Sequence, residues 1–279
     1  MIAKFEAEIN PEAELFMQLK KDSSWLGNIL GNEGVYAEIR KGDIVDIYFE
    51  GGRMAELSYK RGKGIVATCH EKYLGVKDGK NYVDCLEVIK KNPAFLMENI
   101  RGEYSEKSKD GRPRDPEDIS EKKIQGTLIC RRAPIYLDSE FAHRFKNDGR
   151  STIRFDLVAV TDNKLQIIEL KRIKDNRMLN VDESDPEIIS QMNSYSMFID
   201  ANAEAIVEYY KKLYLIKRSL GLPVPPCDIE TLGINRKPHL IICDTYTHMT
   251  GDREIRINRM SNILDRHSDL FSYYFFKLA

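Results

Sequence analysis

The chain is short of the features that most readily assign a protein to a class. It lacks net charge: 43 Lys and Arg stand against 44 Asp and Glu, a formal balance of -1, so no global field advertises a polyanionic partner and any nucleic-acid surface has to be local. It lacks paired cysteines. Cys69, Cys85, Cys130, Cys227 and Cys243 include no CxxC, and their odd number argues against a closed disulfide framework, so reduced and mostly buried thiols are expected. It lacks long apolar runs: MIAKFEAEINPEAEL has no signal-type stretch, and nothing approaches the roughly 18 residues of a membrane span. A cytoplasmic location without a membrane partner is the expectation. No internal repeat is present. What remains is a globular composition, 42% hydrophobic and 31% charged over 279 residues, with length enough for two ordinary domains.

Along the chain, residues 11 to 21 have weak helical character, and YAEIRKG, DIVDIYF, RMAELSY and GIVATC then read as short strands of an antiparallel meander. Glycine-containing turns at Glu50-Gly51-Gly52 and Arg61 to Gly64 join them, and Tyr82 to Met97 reads as a helix. Residues 1–110 are thus expected to form a small α+β module, to which the sequence assigns no role. Arg101 to Pro116 is polar and Pro/Gly-containing, with almost nothing to bury, and reads as a linker or mobile loop. Residues 111–279 form the expected second module. Asp115-Pro116 should open a helix carrying apolar Ile119, Ile124, Leu128 and Ile129; Tyr136 to Phe141 reads as a strand, and Asp185-Pro186 starts a long helix that a Pro-rich turn ends. HLIICDTY is a further strand.

The most informative stretch is RFDLVAVTDNKLQIIELKR, from Arg154 to Arg172. Two strand-like apolar runs flank Asp162-Asn163, a pair that tolerates φ > 0 and can close a two-residue hairpin. That turn sets Val160 opposite Leu165, Val158 opposite Ile167 and Asp156 opposite Glu169, with Lys171 following on the same face. Directly opposed Cβ atoms lie roughly 4.5 to 5.5 Å apart, where like charges destabilise a sheet unless something offsets them. A divalent cation would do so. Oxygen ligands suit Mg²⁺ or Mn²⁺, which lowers the pKa of bound water and neutralises charge on a phosphoryl group. A solvated hairpin face carries the same residue types, but both alternating faces of DLVAV and LQIIEL are apolar, so the strands should be covered on both sides and charges there are costly unless paired. On the downstream helix Gln191 and Tyr195 are four apart, on the stripe of Ile188, Met192, Phe198 and Ile199, and could hydrogen-bond a phosphate, a base edge or Lys171.

The order of a helical Glu, an Asp, an ExK and then QxxxY resembles the PD-(D/E)XK nuclease superfamily, and most nearly its RecB-type branch. The resemblance covers roughly residues 115–250. It implies a restriction-endonuclease-like mixed β-sheet core flanked by helices, an α/β class, and a metal-dependent nuclease hydrolysing phosphodiester bonds. Asp156 and Glu169 would be the metal ligands for Mg²⁺ (or Mn²⁺), with the Leu170 carbonyl a further ligand. Lys171 would be the catalytic lysine, and Gln191 and Tyr195 would help position substrate and the site. The first-helix acid would be Glu121, preferred to Glu117 and Glu140 because it lies near the apolar stripe with Gln125 at i+4, whereas Glu117 belongs to a first turn where acids are common. Phe155 stands where the family usually has Pro.

The implied partner is nucleic acid, with DNA preferred to RNA. Lys122, Lys123, Arg131, Arg132, Arg154, Arg172, Lys174 and Arg177 are candidates to compensate phosphate charge, although a mixed-charge solvated surface looks the same. Cys69-His70-Glu71 lacks a second ligand pair and reads as an ordinary strand end. FSYYFF, Phe271 to Phe276, is expected to tie down the terminus or form a homodimer contact. The alternative to a nuclease is a module of the same fold that binds nucleic acid or protein without turnover.

Overall fold

The alternation in residues 35 to 70 folds into the expected antiparallel meander. A computed structural model describes residues 4–22, 24–76, 79–103, 115–131, 135–144, 152–180 and 184–277; most of the expected linker, and Arg132, fall outside these ranges. Helices α1 (Glu14–Lys21) and α2 (Ser24–Leu30) precede β1 (Val35–Arg40), β2 (Ile44–Phe49), β3 (Gly52–Lys60), β4 (Gly64–His70) and β5 (Tyr82–Asp84), which lie side by side in chain order. The β2–β3 turn needs left-handed backbone at Glu50 (φ 48°) and Gly51 (φ 85°).

The helix expected from Tyr82 to Met97 is corrected. Tyr82–Asp84 pairs with β4, and α3 (Leu86–Lys91) and α4 (Pro93–Glu103) are separated at Asn92. Proline favours an extended residue before it and cannot donate to a preceding turn, so Pro93 starts a new helix. A second correction concerns the expected helix start at Asp115. The Asp115 carboxylate accepts from Glu117 N at 2.9 Å and its carbonyl from Asp118 N at 2.8 Å, making a separate turn. Ser120 Oγ instead accepts from Lys123 N at 3.2 Å, and α5 spans Glu121–Arg131.

The remaining elements are β6 (Tyr136–Arg144), β7 (Thr152–Thr161), β8 (Lys164–Arg172), α6 (Glu187–Ser219), β9 (Gly233–Ile234), β10 (His239–Asp244), α7 (Gly251–Asp265) and β11 (Ser272–Lys277). Their sheet has the order β11-β10-β8-β7-β6, with β9 beside the start of β8; β6, β7 and β8 are antiparallel, while β10 runs parallel to both β8 and β11. One antiparallel and one mixed sheet with helices make a mixed α/β architecture. The FSYYFF run is the edge strand β11, held by β10.

Alternation in the central strands sorts side chains to two buried layers. Val158, Val160, Leu165 and Ile167 join Ile188, Met192, Phe198 and Ile199 of α6, while Leu157, Ala159, Ile168 and Leu170 join Ile124 and Leu128 of α5. Each of these side chains larger than alanine contributes roughly 1.5–3 kcal/mol by leaving water. Helix α6 kinks at Asn202, whose Oδ1 accepts from Phe5 N at 2.8 Å. Between the two sheets lies a buried polar seam. Lys217 of α6 is bonded to Glu38 of β1, Ser139 Oγ donates to Glu38 at 3.0 Å, and Asp138 of β6 takes Arg40 at 2.8 Å and the Tyr210 hydroxyl at 3.1 Å. Among the described residues, no helix is long and apolar enough to cross a membrane.

Candidate active site

The hairpin forms in the expected register. Asp162 (φ 50°) and Asn163 (φ 57°) both adopt the left-handed conformation that a two-residue primed turn requires. Val160 faces Leu165, Val158 faces Ile167 and Leu157 faces Ile168, after which the ladder ends. Beyond that pair β7 stays with β6, and β8 stays with β10, which sets Leu240 beside Glu169 and Ile242 beside Lys171. The sheet therefore forks where Asp156 and Glu169 would have paired. Leu170 N, released from β7, donates to Asp156 Oδ2 at 2.8 Å. The Asp156 carbonyl accepts from the Gln125 side chain of α5.

Charge converges in this fork. Glu169 and Lys171 are only 3% and 2% exposed and are bonded to each other, while Asp156 Oδ2 lies 4.0 Å from Lys171 Nζ and its side chain is about one-third open to solvent. Lys171 Nζ also donates to the Leu170 carbonyl at 3.1 Å. From α6, Gln191 Nε2 donates to Glu169 Oε1 at 2.7 Å and the Tyr195 hydroxyl donates to Glu169 Oε2 at 2.7 Å. Gln191 and Tyr195 are themselves linked at 2.9 Å, and the Tyr195 hydroxyl also contacts the Arg154 carbonyl. The five residues expected at the centre, Asp156, Glu169, Lys171, Gln191 and Tyr195, thus come together, joined by the Leu170 backbone.

Protonation follows from the crowding. Burial, and next the Glu169 charge, raise the Asp156 carboxyl to about 7 against the opposing pull of Lys171 and the Leu170 N–H. Burial and Glu169 also hold the Tyr195 phenol far above its usual range, so it stays a neutral donor. Burial raises the Glu121 carboxyl as well, with Asp175 adding to the rise and Lys171 and Arg177 opposing it.

Of the three acids left open by the sequence, Glu121 lies nearest the fork: its carboxylate feels Lys171 and sits 3.9 Å from Arg177. Glu117 is consumed elsewhere, accepting from Thr247 N at 2.9 Å, from Arg253 at 2.7 and 3.0 Å, and from Lys174. Glu140 adopts left-handed backbone (φ 52°) and stands 3.8 Å from Lys122. Several of the expected phosphate-binding cations already have protein partners: Arg172 with Asp118 at 2.7 Å, Arg177 with Asp175 at 2.6 Å, and Lys174 with Glu117. Arg154 is exposed on β7.

Asp175 has no role in the sequence reading, yet it stands at the mouth of the fork beside Glu121 and Arg177. Burial opposes its charge, but the Arg177 hydrogen bonds win and hold it down, to about 2. The DNR spacing, in which Asp175 accepts from Arg177 N at 2.9 Å, is the local signal that marks it as a turn cap.

The donors suit a hard cation. Lys171 already gathers Glu169 Oε1 and the Leu170 carbonyl around a positive charge, and burial, with the Glu169 charge next, keeps Asp156 partly protonated despite Lys171. Asp156, Glu169 and the Leu170 carbonyl would hold Mg²⁺ or Mn²⁺, with Glu121 behind them. Among the described residues, no cluster of three or more His, Cys, Asp and Glu side chains is gathered tightly enough to hold a metal unaided. Comparison of the chain with family models, curated proteins and solved structures finds no match.

Proposed function

We propose that the protein is a metal-dependent nuclease with a restriction-endonuclease-like core, of the PD-(D/E)XK type, that hydrolyses phosphodiester bonds of nucleic acid, with DNA preferred. The observation that carries the reading is the convergence of Asp156, Glu169 and Lys171 with Gln191 and Tyr195 at a fork between two sheet strands. A buried salt bridge on a structural sheet has no need of a fork that leaves one carboxylate about one-third open to solvent.

The chain's own groups divide the work. Asp156 and Glu169, with the Leu170 carbonyl, bind the Mg²⁺ or Mn²⁺. When bound, that ion supplies a water of lowered pKa and a counter-charge for the phosphoryl oxygens. Gln191 and Tyr195 each hold one oxygen of Glu169 and so fix its orientation. Lys171 orients the attacking water or stabilises charge on the phosphoryl group, a task open to it once its ammonium leaves Glu169. Arg154 and Lys122, both exposed, would meet the flanking phosphates.

The test is incubation of labelled single- and double-stranded DNA and RNA with Mg²⁺, Mn²⁺ or EDTA, alongside Asp156→Ala and Lys171→Ala. Metal-dependent cleavage lost in both variants is the expected result. Cleavage that survives both substitutions removes the assignment of the site, and binding without metal-dependent cleavage points to a module without turnover.

A further inference from the structure

The β2–β3 turn of the meander and helix α5 meet backbone to backbone. A Cβ on Gly126 would lie 2.6 Å from Gly51 N and 2.9 Å from the Glu50 carbonyl carbon, and a Cβ on Gly51 would lie 2.0 Å from the Lys122 carbonyl oxygen. Neither neighbour is a side chain that could swing aside. Gly51 is also left-handed, φ 85°, so the turn has a second reason to exclude a side chain. Lys122 and Gly126 are four apart and form the face of α5 set against the turn. Glu121 and Gln125, also four apart, form the adjoining face. Gln125 bonds the Asp156 carbonyl, and Glu121 sits within the field of Lys171.

We propose that the meander is a positioning element of the site: Gly51 seats α5 through Gly126, and α5 in turn holds Gln125 on Asp156 and Glu121 at the mouth of the fork. This rests on the nuclease reading for its consequence, but not for its geometry. Gly51, Gly126 and Gln125 are positioning residues. A misplacement of about 1 Å at a catalytic group can cost about 10²-fold in rate, and loss of partners behind metal ligands costs about 10–100-fold in metal affinity.

The experiment compares full-length wild type, Gly126→Ala, Gln125→Met and Gly27→Ala for Mn²⁺ binding by calorimetry and for amide hydrogen exchange over residues 121–131. Gly27 is the control because a Cβ there meets nothing within 4 Å. Gly126→Ala is expected to weaken Mn²⁺ binding about tenfold or more and to speed exchange in α5. Gln125→Met, which leaves the turn alone, should weaken Mn²⁺ binding about tenfold with α5 exchange unchanged. Gly27→Ala should alter neither. Wild-type Mn²⁺ affinity in Gly126→Ala overturns the proposal; should that variant not fold, wild-type affinity in Gln125→Met overturns it equally. If the wild type binds no Mn²⁺, the nuclease reading fails, and the seating of α5 is then decided by exchange alone: faster in Gly126→Ala sustains it, unchanged refutes it.

Discussion

Two clusters of buried charge among the described residues are built to opposite specifications. In the seam between the sheets, Glu38, Asp46 and Asp138 meet Arg40, Arg53 and Lys217 at 2.5 to 3.4 Å, and Glu56 adds a fourth carboxylate on Arg53 at 2.7 Å. At the fork, four acids, Asp156, Glu169, Glu121 and Asp175, face two cations, Lys171 and Arg177, and Asp156 and Glu121 lie no nearer than 4.0 and 3.9 Å from theirs. In the seam every one of these carboxylates has a cation within 3.4 Å. The fork is acid-rich, opens to solvent at Asp156 and keeps that carboxyl partly protonated. Buried charge that is paired holds elements together; buried charge left in deficit is a standing demand for a cation.

The sharpest way to separate the two is to remove charges from each. Asp156→Ala and Lys171→Ala should each lower metal-dependent cleavage at least about 10³-fold, some 4 kcal/mol of transition-state stabilisation, measured as turnover of labelled DNA. Lys217→Met should leave cleavage chemistry intact but cost about 3–5 kcal/mol of stability in urea, because Glu38 would stay buried without its partner.

The same substitution should change sign between the clusters. Asp138→Asn removes a carboxylate that Arg40 and Tyr210 both need and should cost about 1.5–3 kcal/mol. Asp156→Asn relieves repulsion from Glu169 and should raise stability in EDTA by about 0.5–2 kcal/mol, the usual return when a site residue is sacrificed. Equal losses at both positions would erase the distinction.

The last difference is in pH dependence. The Asp156 carboxyl sits at about 7 in the folded chain, against about 3.9 for an ordinary Asp. The folded state therefore keeps a proton that the unfolded chain has released, so this contribution is complete below about pH 4 and is lost as pH rises through about 7. In EDTA, the melting temperature should fall across that window more in wild type than in Asp156→Asn. Mg²⁺ should flatten the slope by favouring the charged form.

Much of the fork could be read from the residues. The two positive-φ residues of the turn set the register, and helical spacing set Gln191 and Tyr195 on the buried stripe. The end of the ladder before Asp156 was not legible, because it depends on β10 claiming β8 while β6 keeps β7, a choice made between segments distant in sequence. The Gly51–Gly126 approach was hidden for the same reason: each glycine alone suits a turn or a helix, and only their meeting reveals the constraint. Local competition explains the misplaced ends. Asp115 capped its own turn and left α5 to Ser120, and the Tyr82–Asp84 segment joined a strand edge that its own periodicity did not announce.

Anomalous diffraction from crystals of the full chain soaked in Mn²⁺ asks most directly whether the fork's charge deficit is a metal site. The expected result is a peak bonded to Asp156, Glu169 and the Leu170 carbonyl, with the Lys171 ammonium withdrawn from Glu169 and the peak absent from Asp156→Ala. No peak in the fork, or one that persists unchanged in Asp156→Ala, would contradict it.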